Sequence, residues 1–462
     1  MYKRQIPGDP RTISLSVAPD PGVLEINLHP TASWPELVEV IDALYEDAIA
    51  TDLSAQTFLM DGVVTSSGGG SHITVGGPST ADSPLLRRPD VLVSMLTFWQ
   101  HHPALSYAFS GRFVGPTSQA PRVDEARHES LYELEIAFDQ IDAAVAAGDP
   151  PLELLDRALR NLLVDLTGNT HRAEFCIDKL FSPDSERGKL GLLELRSFEM
   201  QPTARTELLQ HLLVRALVAR FWAEPYRGSL VRWGNRLHDR FALPAHLTDD
   251  LAEVAADLSR HGFAFDPAWF APSLDLRFPT HGTVDLGEVR LGLRAALEPW
   301  LVMGEEASGG GTARYVDSSV ERLQVSLEGA SGDRHVVTCN GVAVPVGPTA
   351  TAGLLAAGVR YKAWAPTSSL HPTIGVHSPL TFEVVDTWTG QVLGGATHHV
   401  VDPTDREIDG YPSDAVEAEV RRSVRFEAST ERRPVDVATV DRPVVDHDFP
   451  VTLDLRRRAP VD

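Results

Sequence analysis

The stretch SSGGGSHITVGGPSTADSPLLRRPD, from Ser66 to Asp90, is the one around which we interpret the rest of the chain. It opens with three consecutive glycines after two serines: Gly68, Gly69 and Gly70. Glycine-rich loops let backbone N–H groups approach a phosphate closely, because no Cβ stands in the way. In the strand pattern that follows, His72 and Thr74 share one face, and an imidazole is a common metal ligand. The stretch therefore indicates a phosphate or metal site, with a plain turn and a structural histidine as the alternative.

Composition limits the classes of protein to which the chain can belong. It has 462 residues, 43% of them hydrophobic and 23% charged, as in soluble globular proteins with two or three domains. The formal net charge of -23 argues against nucleic acid or an anionic membrane as partner. Two cysteines, no secretory signal and no apolar run of ~20 residues predict a cytoplasmic protein. The opening MYKRQ is unlike a natural domain start, so we expect a fragment lacking an upstream part.

Three further strand patterns carry polar side chains along one face. Residues 23–29 place Glu25, Asn27 and His29 on the face opposite three apolar residues. Residues 172–178 alternate in the same way, with Arg172, Glu174, Cys176 and Asp178 on one side. Residues 192–198 place Glu194 and Arg196 together. Carboxylates and a histidine can hold a divalent ion, and arginines can neutralise a transferring phosphoryl group, although ordinary solvent-facing ion pairs have the same pattern.

Helix signals and strand signals divide the chain into two regions. Capping boxes at Ser33–Glu36 and Ser130–Glu133 start helices, and a long apolar helix is predicted from about Thr203 to Trp222. From 274–278 onward, short strand patterns dominate, which is typical of a sandwich or barrel. We predict an α+β chain with a catalytic region at 10–245 and a β-rich domain at 270–455. The first should contain an antiparallel sheet backed by helices, and the second should be sandwich-like.

Long blocks of the sequence resemble a bacterial amidoligase family. They include EINLHP at 25–30, GGGSHITVGG at 68–77, HRAEFCIDKL at 171–180, LLELRSFEM at 192–200 and WGNRLHDRF at 233–241. The resemblance covers residues 12 to 400 and continues toward the end. It implies the catalytic fold of glutamine synthetase and glutamate–cysteine ligase. Members of the family often carry a transglutaminase-like domain upstream, and we expect that domain to be the part missing from this sequence.

The resemblance also implies a chemistry and residue roles. It implies an ATP-dependent carboxylate–amine ligase that forms an amide through an acyl phosphate, with peptide or small-molecule substrates. Glu25, His72 and Glu194 match the ligands of Mg²⁺ or Mn²⁺, and no cysteine belongs to that set. Gly68, Gly69, Gly70, Thr74 and Arg196 match nucleotide-binding positions. Arg172, Arg196 and Glu174 are the expected catalytic residues.

Two other functions stay open from the sequence. A phosphotransferase is the alternative within enzymes, since guanidino kinases resemble the same fold. A non-catalytic peptide-binding module that assists a transglutaminase-like partner is the alternative from another class. Amine-dependent ADP release favours the ligase, a phosphorylated acceptor favours the phosphotransferase, and absence of nucleotide binding favours the module.

Overall fold

The structure is a computed structural model that describes residues 26–66, 70–115, 118–126, 130–184, 188–308, 311–332, 334–403 and 410–457. Helices predominate before residue 278 and strands predominate after it. The chain is therefore α+β with antiparallel sheets and a β-rich C-terminal region, as the sequence predicts. Glu25, Gly68 and Gly69 lie outside the described residues.

The first described helix begins where the sequence places a capping side chain. The Oγ of Ser33 accepts a hydrogen bond from the backbone N–H of Glu36 at 3.3 Å, and the Glu36 carboxylate accepts one from Ala32 N at 2.7 Å, which confirms the predicted capping box. The long helix predicted near Thr203 is also confirmed. The helices are α1 (Trp34–Ala50), α2 (Pro84–Arg87), α3 (Pro89–His101), α4 (Ala104–Tyr107), α5 (Val123–Ala126), α6 (Ser130–Ala147), α7 (Leu154–Leu159), α8 (Ala204–Ala223), α9 (Arg236–Phe241), α10 (Pro244–Arg260), α11 (Ala271–Arg277) and α12 (Ala415–Ser423).

The first region contains two small antiparallel sheets. Its five described strands are β1 (Gln56–Phe58), β2 (Val64–Ser66), β3 (Ile73–Val75), β4 (Phe175–Cys176) and β5 (Leu193–Leu195). β1 pairs with β2, and the other three form a sheet in the order β3-β5-β4. Three of the four strand patterns predicted for one sheet thus lie together. The fourth pattern, residues 23–29, is not part of this sheet in the described structure. Residues 26–29 form no strand, and residues 23–25 lie outside the described residues.

The apolar face of this sheet packs on a buried helix. Ile73, Leu195 and Phe175 are each at most 3% exposed, and all of α3 from Pro89 to Gln100 is buried. Trp99 of α3 stands edge-on to Phe175, with ring centroids 5.3 Å apart and an interplanar angle of 89°. This packing directs the opposite face of the sheet away from the core.

The C-terminal region contains a sandwich of two six-stranded sheets and a separate pair of strands, the eighth and ninth along the chain, fourteen strands in all among the described residues. The strands are β6 (Thr280–Asp285), β7 (Arg290–Ala295), β8 (Val302–Ser308), β9 (Gly311–Val316), β10 (Val320–Glu328), β11 (His335–Cys339), β12 (Val342–Ala343), β13 (Gly347–Pro348), β14 (Leu354–Lys362), β15 (Leu380–Asp386), β16 (Gln391–His398), β17 (Phe426–Ser429), β18 (Arg433–Pro434) and β19 (Thr452–Asp454). One sheet follows the order β13-β14-β10-β7-β6 with β19 on β14; the other follows β12-β11-β15-β16-β17 with β18 on β16. One buried cluster joins Val325 and Val359 of the first sheet to Val337 and Phe382 of the second.

One strand predicted from the sequence is wrong. Residues 274–278 were expected to be extended, but α11 covers Ala271–Arg277. The alternation Leu-Asp-Leu-Arg-Phe places apolar residues at i and i+4 as well as at i+2, so it also fits a helix. Pro272, in the first turn, favours the helix. The division into domains at 10–245 and 270–455 stays a prediction.

Candidate functional site

One face of the β3-β5-β4 sheet is polar, and we call it the polar face. Thr74 pairs with Glu194 across β3 and β5, and Cys176 pairs with Glu194 across β4 and β5. Residues directly opposite each other in a sheet project to the same side, so these three form a row. His72 and Thr74 are exposed, whereas Cys176 and Glu194 are buried at the floor. The row joins residues from three separate parts of the sequence.

Glu194 is the centre of the polar face. Its Oε1 accepts a hydrogen bond from Arg196 Nη1 at 2.6 Å and lies 3.2 Å from His72 Nδ1. Its Oε2 accepts a hydrogen bond from Lys179 Nζ at 2.8 Å. Burial opposes ionisation of this carboxyl, but the bonds from His72 and Lys179 and the charge of Arg196 outweigh it and hold the pKa of Glu194 far below its usual range. Glu194 is therefore a carboxylate at any physiological pH.

A cysteine lies beside this carboxylate, which the predicted ligand set did not include. The Sγ of Cys176 is 3.8 Å from His171 Nδ1, and ligand atoms of His171, Cys176 and Glu194 all lie within 4.8 Å of one another. Burial raises the pKa of the Cys176 thiol to about 12. The polar face therefore offers an imidazole, a sulfur and a carboxylate within the reach of one ion.

Gly70 adjoins the face through its backbone. It forms a β-bridge with Glu199, and a Cβ placed on it would lie 2.5 Å from His72 Nε2. A side chain at this position would displace the imidazole, so glycine is required for His72 to sit where it does. The structure thus brings Gly70, His72, Thr74, Glu194 and Arg196 together, as the sequence analysis expected.

Glu174 does not lie on the polar face. Its Oε1 accepts hydrogen bonds from Trp99 Nε1 at 3.1 Å and from Ser197 Oγ at 2.8 Å, within the core beneath the sheet. Burial raises the pKa of the Glu174 carboxyl, and the charge of Arg122 offsets this only in part. The alternation rule placed Glu174 with Cys176, but β4 begins only at Phe175, so the parity does not extend back to residue 174.

Arg172 also lies away from the residues that surround Glu194 on the polar face. Its Nη1 is 3.9 Å from Asp165 Oδ2, and its side chain is 16% exposed. Lys179 and His171 join the polar face instead, although the sequence analysis did not select them. Both lie in turns at the ends of the short β4, where a strand pattern gives no information on direction.

Comparison with known proteins identifies the family. A family model described as "Putative amidoligase enzyme (DUF2126)" matches residues 3–456. The chain belongs to this amidoligase family. No curated protein and no solved structure shows a significant match. The family match supports a ligase-like enzyme and agrees with the resemblance seen in the sequence blocks.

In this amidoligase-family chain, the polar face is suited to binding anions next to a metal ion. Two basic side chains, Arg196 and Lys179, converge on one carboxylate whose oxygens have further lone pairs for a metal. The Lys179 side chain is 43% exposed, so a ligand reaches its ammonium without displacing the core. Among the described residues, no helix combines the length and apolarity needed to cross a membrane.

Proposed function

We propose that this chain is an ATP-dependent carboxylate–amine ligase whose phosphoryl-transfer site is the polar face. The observation that carries the proposal is the convergence of Arg196, Lys179 and His72 on the buried carboxylate of Glu194. Phosphoryl transfer depends on positioning and on cations that stabilise charge on the transferred group. The family match supports a ligase-like enzyme, and the polar face supplies such cations.

The proposed reaction has two steps. An oxygen of the substrate carboxylate bonds to the γ-phosphorus of ATP, and the bond from that phosphorus to the β,γ-bridging oxygen breaks to release ADP. The nitrogen of a neutral amine then bonds to the acyl carbon, inorganic phosphate leaves with the bonding electrons, and the nitrogen loses a proton to water. Arg196 and Lys179 would bind the phosphate oxygens in both steps, because hydrogen bonds from a guanidinium or an ammonium to phosphate are charge-assisted. The amine and the carboxylate belong to a small molecule or a peptide.

The divalent ion that such a reaction uses fits the donors of the polar face in part. Glu194 and His72 retain their proposed role as ligands, with Glu25 as the third proposed ligand. His171 and Cys176 add nitrogen and sulfur donors, and such a set suits Mn²⁺ better than Mg²⁺, which prefers oxygen. The ion would supply charge neutralisation at the phosphates.

The other predicted residues take different places in the proposal. The backbone carbonyl of Glu174 accepts a hydrogen bond from Arg196 N at 2.9 Å, and its carboxyl binds Ser197, so we propose Glu174 as a positioning residue for Arg196. Gly68, Gly69, Gly70 and Thr74 are proposed to border the nucleotide. The catalytic role of Arg172 and the transglutaminase-like partner stay predictions.

The test measures ADP release from ATP with Mn²⁺ or Mg²⁺, in the presence of a panel of amino acids and dipeptides. We expect release that requires both a carboxylate and an amine, and its loss in Glu194→Gln. The matched control is Glu383→Gln, which removes a carboxylate paired with Arg433 in the β-rich region. Accumulation of a phosphorylated acceptor would indicate a phosphotransferase instead, and absence of ATP binding would favour a non-catalytic module.

A further inference from the structure

A second polar site lies in a cleft between the helical region and the β-rich region. The empty volume of the cleft, including the part that is open to solvent, is about 680 Å³. Its walls include Arg112 and Arg277 from the first region and Glu321, Tyr361 and Arg425 from the second. None of these residues belongs to the polar face, and the family match assigns them no role.

Two arginines that line the cleft, Arg277 and Arg425, carry positive charge without an ion-paired carboxylate among the described residues. Arg277 donates a hydrogen bond to the carbonyl of Gly111, and its Nε is buried with no partner. Arg425 donates hydrogen bonds to the carbonyls of Asp61 at 2.9 Å and Arg421 at 3.3 Å. Within the described ranges, neither guanidinium has an acidic side chain at ion-pair distance. Because a guanidinium binds a carboxylate through two parallel N–H bonds, this pair is suited to an anion.

Another part of the cleft carries a carboxylate. Glu321 Oε2 accepts a hydrogen bond from the Tyr361 hydroxyl at 3.1 Å, and Oε1 lies 3.7 Å from Arg112 Nη2. The Arg112 guanidinium in turn lies over the ring of Trp300, 5.0 Å from its centroid. The Glu321 side chain is 34% exposed; burial raises the pKa of this carboxyl, and the charge of Arg112 offsets the rise only in part. A group with N–H donors and positive charge is the complement of this carboxylate.

Two buried histidines form a neutral part of the wall. His281 and His398 are 8% and 1% exposed, their ring centroids are 4.5 Å apart, and the Nδ1 of each has no partner. Burial lowers the pKa of both imidazoles well below the usual value, so neither adds positive charge near neutral pH. The lining of the cleft thus contains four arginines and three acidic residues rather than a uniform positive surface: Arg112, Arg277, Arg322, Arg425, Asp61, Glu298 and Glu321.

We propose that this cleft binds the zwitterionic end of an amino acid or short peptide, with its carboxylate at Arg277 and Arg425 and its ammonium at Glu321. A phosphate or a nucleotide fits less well, because Glu321 lies in the same cleft and repels a dianion. The role of this ligand as a substrate in amide formation rests on the proposed function. Binding of the ligand does not depend on catalysis.

The experiment measures binding to the whole chain by calorimetry, without ATP. The probes are the twenty standard amino acids and the twenty glycyl dipeptides, then the N-acetylated and C-amidated form of whichever binds best, and inorganic phosphate. We expect at least one zwitterion to bind, and both blocked forms to bind at least tenfold more weakly. Arg425→Met and Glu321→Gln should each weaken binding at least tenfold. Arg433→Gln, which removes an exposed arginine paired with Glu383 in the same region, should change it less than twofold.

The outcomes separate this proposal from the proposed function. Binding by no probe, equal binding of blocked forms, phosphate in place of the zwitterion, or wild-type affinity in both cleft variants would overturn the cleft proposal. Thermal unfolding checks that each variant is folded, and Glu321→Gln gives a second test if Arg425→Met is not. Zwitterion binding without any ADP release would leave the cleft proposal standing and remove the ligase. ADP release with an unchanged KM for the zwitterion in Glu321→Gln would leave the ligase standing and overturn the cleft proposal.

Discussion

The buried histidine pair predicts a measurable loss of stability in acid. His398 is 1% exposed and faces His281, and burial, assisted by the charges of Arg425 and His399, lowers the pKa of His398 to about 3. In the unfolded chain an ordinary histidine has a pKa of about 6.5. Between these two values the unfolded state binds a proton that the native state does not, so the free energy of unfolding falls as the pH falls.

The size of the effect follows from the two pKa values. At pH 5.0, protonation of this histidine stabilises the unfolded state by RT ln(1 + 10^1.5). His398 alone therefore reduces the free energy of unfolding by about 2 kcal/mol relative to a non-titrating residue. At pH 7.5 its contribution is close to zero. We therefore expect His398→Gln to lose about 2 kcal/mol less stability than the wild type on acidification from pH 7.5 to 5.0.

The assay is urea unfolding followed by tryptophan fluorescence and by circular dichroism at both pH values. Val444→Ala is the control, because this side chain is 95% exposed and does not titrate. Its acid loss should equal that of the wild type. If His398→Gln lost as much stability on acidification as the wild type, the imidazole would bind a proton as readily in the native state as in the unfolded state. The inference that His398 is a buried, neutral residue in the wall of the cleft would then be wrong.

Three further predictions concern the polar face. Glu194→Gln removes the charge that holds Lys179 and Arg196, and calorimetry should show Mn²⁺ affinity at least tenfold lower, with Glu383→Gln unchanged. Arg196→Lys keeps the charge but loses the planar fork, so ATP turnover should fall by about tenfold or more; an unchanged rate would remove the phosphate role. Cys176, whose thiol pKa of about 12 follows from burial, should react with a disulfide reagent at pH 7.5 only after denaturation. Labelling of the native chain within minutes would contradict its burial.

Local sequence rules predicted much of the fold because the local interactions decide it. The capping box at Ser33 forms as expected, since its donors and acceptors lie within four residues of one another. Alternation correctly placed Thr74 and Glu194 on one face, because β3 and β5 each contain a full alternating triplet. At 274–278 the same rule failed, since five residues with apolar side chains at every second position fit a helix as well as a strand.

The alternation rule held for the candidate residues inside the strands, and its outcome for the residues that flank the strands was mixed. His72 and Arg196 flank short strands and reach Glu194 as the sequence suggested. Glu174 lies one residue before β4 and turns into the core, where Trp99 and Ser197 bind it. Lys179 reaches Glu194 from a turn that no periodicity describes. The cleft could not be predicted at all, because its residues come together only through packing of distant segments.

A continuous set of contacts connects the polar face to the cleft. The chain from Glu194 leads in five residues to Glu199, whose carboxylate accepts a hydrogen bond from Ser66 N at 3.2 Å. Gly111 lies against this carboxylate, so that a Cβ on Gly111 would be 3.4 Å from Glu199 Oε1, and its carbonyl accepts the bond from Arg277. Arg277 lines both the cleft and the cavity beside Glu199. A ligase must bring an amine and an acyl phosphate together, and a zwitterion held at Arg277 would be linked, through Gly111 and Glu199, to the segment that carries Glu194 and Arg196 of the proposed phosphoryl-transfer site.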